Sequence, residues 1–149
     1  MVEPKELSQI IHSNVLEISR QMAGIILVPS EPVDMADADV LHLATSGEYQ
    51  LNLYLCTDKK TTQQIASNMK HGPAMREEMP LYAAEFFNIL GGHIVSLINR
   101  RYKKAARFRP PVWEKSYIQG ENRKAVSLFY HWPEGNLKVE GCFADGGSL

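Results

Sequence analysis

The sequence has few of the features that mark a membrane protein, a disulfide-stabilised protein or a nucleic-acid-binding protein. No apolar run approaches the roughly 20 residues of a membrane-spanning helix, and the N-terminal residues lack the charged and then apolar pattern of a signal peptide. The net charge of −1 provides no field that would attract nucleic acid or an acidic membrane surface. The two cysteines, Cys56 and Cys142, lie singly inside predicted strands, so we expect buried, reduced thiols and a cytoplasmic protein.

Common catalytic and metal-binding patterns are also missing from the sequence. The five histidines are scattered, without a paired spacing or a cysteine pair nearby, so no zinc site is predicted. There is no phosphate-binding glycine loop, because Gly91 and Gly92 lie inside a predicted helix. A Gly-x-Ser-x-Gly elbow is absent, and neither cysteine lies at a predicted helix N-terminus. We therefore expect the protein to have no cofactor or metal ion of its own.

The length and composition predict one globular domain over residues 1–149, with 44% hydrophobic and 22% charged residues. The hydrophobic periodicity predicts the element order α-β-β-α-α-β-β-β. This order indicates an α+β fold in which helices cover a largely antiparallel sheet. The helices are predicted at 7–23, where Gly24 would end the first one, at 59–69, where Thr57-Asp58 is a good N-cap site, and from between 74 and 81 to about 104. The strands are predicted at 40–44, 49–56, 112–118, 125–131 and 137–143, with one hairpin around 46–48 and another across 133–136.

The longest predicted helix carries a narrow polar stripe opposite its apolar face. The stripe contains Glu85, Asn88, Gly92, Ser96, Asn99 and Lys103. The apolar face, which we expect to lie against the core, contains Ala83, Phe87, Leu90, Ile94, Leu97 and Ile98. Because Glu85 and Asn88 are one turn apart, their carboxylate and amide point the same way.

Two features of this helix each allow two interpretations. Glycines inside a helix cost about 1 kcal/mol each relative to alanine, so Gly91 and Gly92 indicate either close packing against a neighbouring element or a cleared space beside Asn88. The basic residues between Arg100 and Arg109 fit a helix C-terminus, where cations complement the helix dipole. They would also fit an electrostatic dock for an acidic partner.

Glu85, Asn88 and Pro111 together resemble the signature of a known family. Glu85-Phe86-Phe87-Asn88, followed by twenty-two residues and Pro111, matches the Glu-x-x-Asn-x22-Pro part of the signature shared by the CheC, CheX and FliY chemotaxis phosphatases. The resemblance extends to the order of the elements. A single copy of the motif is similar to CheX, whereas CheC is similar to an internal duplication. One position departs from the pattern, since Leu81 stands where the family has Asp or Ser.

The resemblance implies hydrolysis of the aspartyl phosphate of a CheY-like response regulator. In that role Asn88 would hold the attacking water, and Glu85 would dock to a lysine of the phosphorylated partner. Gly92, Ser96 and Asn99 would line the contact with the partner. The Mg²⁺ ion would belong to the regulator, and the protein would form a homodimer through sheet edges.

Two rival functions stay open on the sequence. The first is a noncatalytic docking module for a response regulator or another signalling protein, in which Leu81 marks lost or attenuated turnover. The second is an enzyme acting on a small molecule, which has little support because no titratable cluster suggests acid–base chemistry.

Overall fold

Helices on one side of an antiparallel sheet make up the fold. The computed structural model describes residues 2–115 and 125–144. Its helices are α1 (Pro4–Ala23), α2 (Lys59–Lys70) and α3 (Met79–Tyr102). Its strands are β1 (Val28–Pro29), β2 (Asp39–Gly47), β3 (Leu51–Thr57), β4 (Ala106–Phe108), β5 (Val112–Glu114), β6 (Val126–Trp132) and β7 (Gly135–Phe143).

The predicted α+β fold and the predicted order of elements are confirmed, and two short strands are added to them. The sequence analysis did not predict β1 as a strand, because two residues are too few to show the period of a strand. It did not predict β4, because those residues were interpreted as part of the basic run after α3. The predicted strand at 112–118 ends at Glu114 as far as the described residues go, and positions 116–118 lie outside them.

The sheet has the strand order β1-β6-β7-β3-β2-β4, and β5 also pairs with β2. All of these pairings are antiparallel, and both predicted hairpins, β2–β3 and β6–β7, are present. The β6–β7 turn is tighter than predicted, because Trp132 already pairs with Gly135. At one edge, β4 and β5 pair with successive parts of β2, and Pro110 and Pro111 lie between them. Proline, which has no N–H to donate, is tolerated there because residues 110 and 111 lie outside both ladders.

The core lies between the helices and one face of the sheet. Alternation along β3 turns Leu51, Leu53 and Leu55 toward the helices, where all three are buried. Phe86 and Phe87 of α3 are also fully buried in the same cluster. The apolar periodicities of strand and helix therefore meet in a single hydrophobic core.

The helix ends are set by local sequence signals that the sequence analysis identified. Gly24 ends α1 in the left-handed region at φ 61°, and its N–H donates to the carbonyl of Arg20 at 3.2 Å. Asp58 caps α2, because its carboxylate accepts a hydrogen bond from the backbone N–H of Thr61 at 2.9 Å. Both predicted boundaries are confirmed.

The long helix α3 begins inside the predicted window, with Pro80 in its first turn. It ends at Tyr102 and is capped by Lys103 at φ 53°, so the prediction that it runs to about residue 104 was two residues too long. Lys103 therefore lies outside the helical stripe. The predicted core face is confirmed except at Leu97, which is only half-buried.

By length and composition α3 is apolar enough to cross a membrane, which the sequence analysis overlooked. Its hydropathy has a structural explanation within the fold, because Phe86, Phe87, Leu90 and Ile94 are fully buried against other elements. The side away from the core carries Glu85, a charged residue that is exposed.

The two cysteines differ in burial. Cys56 is buried, and desolvation raises the pKa of its thiol to about 11. Cys142 is partly exposed, so the prediction of two buried thiols was correct only for Cys56. Cys142 lies near the end of the last strand, at a position less enclosed by neighbouring elements.

Gly91 explains how α3 can approach the sheet so closely. A Cβ atom at this position would lie 2.5 Å from Cδ1 of Leu43 in β2, which is shorter than any normal contact. The packing interpretation of the glycine pair therefore holds at Gly91, since the leucine side chain occupies the space that a methyl group would need.

We expect Gly91→Ala to lower the free energy of unfolding by about 1 kcal/mol. Overpacking a core lowers the free energy of unfolding by roughly 1–3 kcal/mol. The better helix propensity of alanine raises it by about 1 kcal/mol. Urea denaturation measures the difference. Gly92→Ala is the matched control, because a Cβ there meets, among the described residues, only the ring of the half-buried Phe108, at 3.3 Å. A Gly91→Ala protein as stable as the wild type would contradict this packing.

Candidate functional site

Glu85 and Asn88 lie one turn apart on the side of α3 that faces away from the core. Glu85 is exposed and Asn88 is half-buried at the helix surface. Within the described residues, neither side chain has a hydrogen bond or an ion pair. The carboxylate and the carboxamide are therefore both available to a visiting molecule.

The backbone that carries this pair is held firmly in place. Phe86 and Phe87, the two residues between Glu85 and Asn88, are fully buried. A displacement of the pair would have to move both aromatic rings within a closely packed core. The pair is thus presented by a packed helix rather than by a loop, which favours a precise geometry.

Phe108 of β4 covers the surface one turn beyond Asn88. Its ring lies against Gly92, where a Cβ would be 3.3 Å from the ring atom Cζ. Phe108 is held there because it pairs with Thr45 of β2. The space that glycine leaves at this position is therefore bordered by an aromatic ring from elsewhere in the chain.

Sequence reasoning missed Phe108 as part of this surface. The available signal was the alternation of apolar and charged residues in Ala106-Arg107-Phe108-Arg109, which has the period of a strand. That signal was obscured because the same residues were interpreted as a basic run after a helix.

Asn99, the last stripe residue within α3, is engaged inside the protein. The hydroxyl of Tyr49 donates to Asn99 Oδ1 at 2.8 Å, and Asn99 Nδ2 donates to the carbonyl of Ala106 at 3.1 Å. Burial raises the pKa of Tyr49 to about 12, so its hydroxyl stays protonated and continues to donate. The amide of Asn99 thus joins the β2–β3 hairpin, α3 and β4. Its predicted contact with a partner stays a prediction.

A second set of contacts holds the same hairpin against the chain that follows α3. The N–H of Glu48 donates to the carbonyl of Ala105 at 2.9 Å, and the N–H of Ala105 donates to Glu48 Oε1 at 3.0 Å. Lys104 Nζ lies 3.9 Å from Glu48 Oε2. One cation of the basic run is therefore paired locally.

Gly92 and Ser96 lie at the edge of a cleft between α1 and α3. The cleft has a volume of about 600 Å³. Its lining is mostly polar and consists of Ser13, Asn14, Glu17, Gly92, His93, Ser96, Leu97 and Arg100. Ser96 is exposed at its rim, so a partner that covers Asn88 could extend into this cleft. Glu85 and Asn88 do not line it.

The two other positions of the family signature lie apart from each other in the fold. Leu81 lies on α3 on the same side as Glu85, one turn earlier, and is 72% exposed. Pro111 lies between the edge strands β4 and β5 rather than on α3. The structure therefore brings Leu81, Glu85, Asn88, Gly92 and Ser96 onto one exposed surface.

The chemistry available at this surface consists of one carboxylate and one carboxamide. A carboxamide can donate and accept hydrogen bonds at the same time, whereas a carboxylate can pair with a cation. Across residues 2–115 and 125–144, no group of three or more His, Cys, Asp or Glu residues lies close enough together to hold a metal ion.

We expect Asn99→Ala and Asn88→Ala to differ sharply in stability. Removing the amide of Asn99 leaves the almost completely buried hydroxyl of Tyr49 with only its longer bond, 3.4 Å, to the carbonyl of Val95. It also removes the bond to the carbonyl of Ala106, so the change should cost about 1–3 kcal/mol. Asn88→Ala removes no internal bond and should stay within about 0.5 kcal/mol of the wild type. Chemical denaturation of both variants tests the difference, and equal losses would contradict the assignment of Asn99 as the residue with internal contacts.

Comparison with known proteins shows which fold this chain has. Neither a protein-family model nor a curated protein matches the sequence. Among solved structures, the chemotaxis protein CheX from Vibrio vulnificus is similar with a TM-score of 0.77 and 18% identity, over 93% of this chain and 96% of that chain. A chemotactic CheC-like protein from Shewanella oneidensis has a TM-score of 0.74 and 19% identity, over 91% and 95% of the two chains.

A third similar structure is a CheX–CheY–BeF3–Mg²⁺ complex from Borrelia burgdorferi, with a TM-score of 0.74 and 16% identity over 96% of this chain and 99% of that chain. The chain therefore has the fold of the CheX and CheC-like chemotaxis proteins, which confirms the fold that the sequence resemblance implied. At such low identities the similarity establishes the fold, and activity has to be argued from the site.

Proposed function

We propose that this protein hydrolyses the aspartyl phosphate of a CheY-like response regulator. The observation that carries this proposal is the pair Glu85 and Asn88, which is open to solvent on a helix whose backbone is fixed by two buried phenylalanines. The similar CheX structure in complex with CheY supports a regulator of that type as the partner.

The chemistry required of this protein is modest, because the regulator supplies most of the site. The phosphoryl group of a phosphorylated regulator is already bound by Mg²⁺ and a lysine, which neutralise charge. What such a site lacks is a water molecule held in line with the phosphorus atom. That water forms the new oxygen–phosphorus bond as the bond to the aspartate oxygen breaks, and the products are inorganic phosphate and a free aspartate.

Asn88 is suited to holding this water. Its carboxamide can accept a hydrogen bond from the water and donate one to the phosphoryl oxygens. It does not take a proton, so its contribution is one of orientation. Holding the reactants in an attack geometry can supply much of a rate acceleration, because the entropic search for that geometry is removed.

Glu85 is assigned the role of docking. Its unpaired carboxylate, one turn before Asn88, can form a charge-assisted hydrogen bond with the lysine of the regulator. That bond fixes the register of α3 against the regulator and so determines where Asn88 is placed. Gly92, Ser96 and the ring of Phe108 border the same surface and complete the contact.

We also propose that the protein acts in the cytoplasm as a homodimer joined through sheet edges, as the resemblance implies. The strand β1 forms an edge of the sheet, and Val28 within it is exposed. An exposed apolar edge strand is a surface that pairing with a second chain would cover.

We predict that Asn88→Ala lowers the rate of catalysed dephosphorylation by about 10²-fold or more, the typical cost of removing one positioned polar group from an active site. The measurement follows the decay of phosphorylated regulators from the same organism with catalytic amounts of protein. Gln21→Ala is the matched control, because it removes an exposed amide from the end of α1. Equal decay with the wild type and Asn88→Ala would reject the role of Asn88.

We predict that Glu85→Ala mainly weakens the complex. Loss of a charge-assisted bond should raise the Kd for the phosphorylated regulator about 10-fold or more. Titration with a regulator loaded with beryllium fluoride and Mg²⁺ measures binding without turnover. Glu134→Ala removes an exposed carboxylate from the β6–β7 turn and should leave Kd unchanged. An unaltered Kd for Glu85→Ala would count against the docking role.

One observation favours the alternative of a noncatalytic docking module. Leu81 cannot accept a hydrogen bond at the position where the family pattern has Asp or Ser. In this alternative the same surface binds the regulator, but a catalytic amount of protein leaves the decay of the phosphorylated regulator unchanged. The decay measurement therefore separates turnover from binding.

A further inference from the structure

Leu81 is an apolar residue at the N-terminal end of the surface that carries Glu85 and Asn88. At 100° per residue, it lies within about 40° of Glu85 and about 20° of Asn88 around the helix axis. It is 72% exposed, the largest value among the exposed large hydrophobic residues of the described chain. The core residues of α3, such as Leu90, lie on the opposite side, so Leu81 takes no part in the core.

The leucine at position 81 does not stabilise the N-terminus of α3. Leu81 is the third residue of α3, where an acidic residue would interact favourably with the helix dipole. The preceding N-cap residue, Glu78, makes no side-chain cap bond, and the first turn contains no acidic residue. The carboxylate of Glu78 instead accepts bonds from Lys70 Nζ at 2.6 Å and from the N–H of Met75 at 2.8 Å.

An exposed leucine therefore stands where the fold would gain from an acidic residue. The exposed leucine contributes a favourable free energy only when another molecule covers it, because burying a leucine side chain stabilises by about 1.5–3 kcal/mol. Under the proposed function a response regulator covers the surface around Leu81, since Glu85 and Asn88 must both enter the phosphorylated site of the regulator. Leu81 precedes them by one and two turns and would be covered in the same encounter.

We infer that Leu81 is a specificity-determining contact for the response regulator, and that the cognate regulator presents an apolar side chain opposite it, beside the lysine that pairs with Glu85. This inference rests on the proposed function. An apolar contact next to a charged pair excludes water from that pair and strengthens it. A regulator with a polar or charged group at the same place would lose a bond to water without gaining a partner.

The test compares substitutions at Leu81 by titrating regulators of the same organism, each loaded with beryllium fluoride and Mg²⁺. Leu81→Ser removes the apolar contact without adding charge, and we expect it to raise the Kd about tenfold or more. Leu81→Met keeps an apolar side chain of similar volume and should change the Kd less than about threefold. The matched control is Ile26→Ser, at a residue of 63% exposure between α1 and β1, and it should leave the Kd unchanged.

Two further measurements separate the loss of the apolar contact from a loss of stability and from an effect of charge. Leu81→Ser should unfold at the same denaturant concentration as the wild type, because the leucine has no internal packing to lose. The difference in Kd between the two proteins should persist at high salt, since an apolar contact is not screened. A Leu81→Ser protein that binds the regulator as tightly as the wild type would overturn the inference.

The outcomes distinguish the inference from the proposed function. Accelerated decay of the regulator with a KM that Leu81→Ser leaves unchanged would retain the phosphatase and reject the contact. Binding that depends on Leu81 without accelerated decay would retain the contact and reject the phosphatase. A wild-type protein that binds none of the regulators would reject both.

Discussion

The close approach of α3 to the sheet is the constraint on which the rest of the structure depends. Gly91 allows this approach, because a side chain at that position would collide with Leu43 of β2. The approach buries Phe86 and Phe87 completely and thereby fixes the rotation of the helix about its axis. Once the rotation is fixed, the opposite side of the helix, with Glu85 and Asn88, has to face outward. A packing requirement in the core thus determines what the surface presents.

The C-terminal end of the helix is held by polar contacts rather than by packing alone. Asn99 links Tyr49 of the hairpin to Ala106 of β4, and this arrangement carries Phe108 onto Gly92. The stripe that looked uniform in the sequence is therefore divided in function. The part with Glu85 and Asn88 is open to a partner. Asn99 instead helps to hold β4, and with it the ring of Phe108, beside that surface. Two asparagines with the same chemistry have different roles because of what surrounds them.

The sequence predicted the features that follow from local periodicity and local capping. It identified the three helices, the two hairpins and the outward orientation of Glu85 and Asn88, because these follow from residues close together in the chain. It did not reveal β4, the ring of Phe108 or the contacts of Asn99, since each depends on residues that meet only after folding. Leu97 and Cys142 were predicted to be more buried than they are, because periodicity shows direction but not how far a neighbouring element extends.

The central claim is that the carboxamide of Asn88 reaches the phosphorylated site of another protein. Nuclear magnetic resonance of the ¹⁵N-labelled protein, titrated with a regulator carrying beryllium fluoride and Mg²⁺, observes this group directly through its side-chain amide signal. The account predicts that the Asn88 side-chain amide shifts strongly and that the amide of Asn99, which is bonded internally, shifts less. Binding that leaves the Asn88 signal in place while signals elsewhere on the surface move would contradict it.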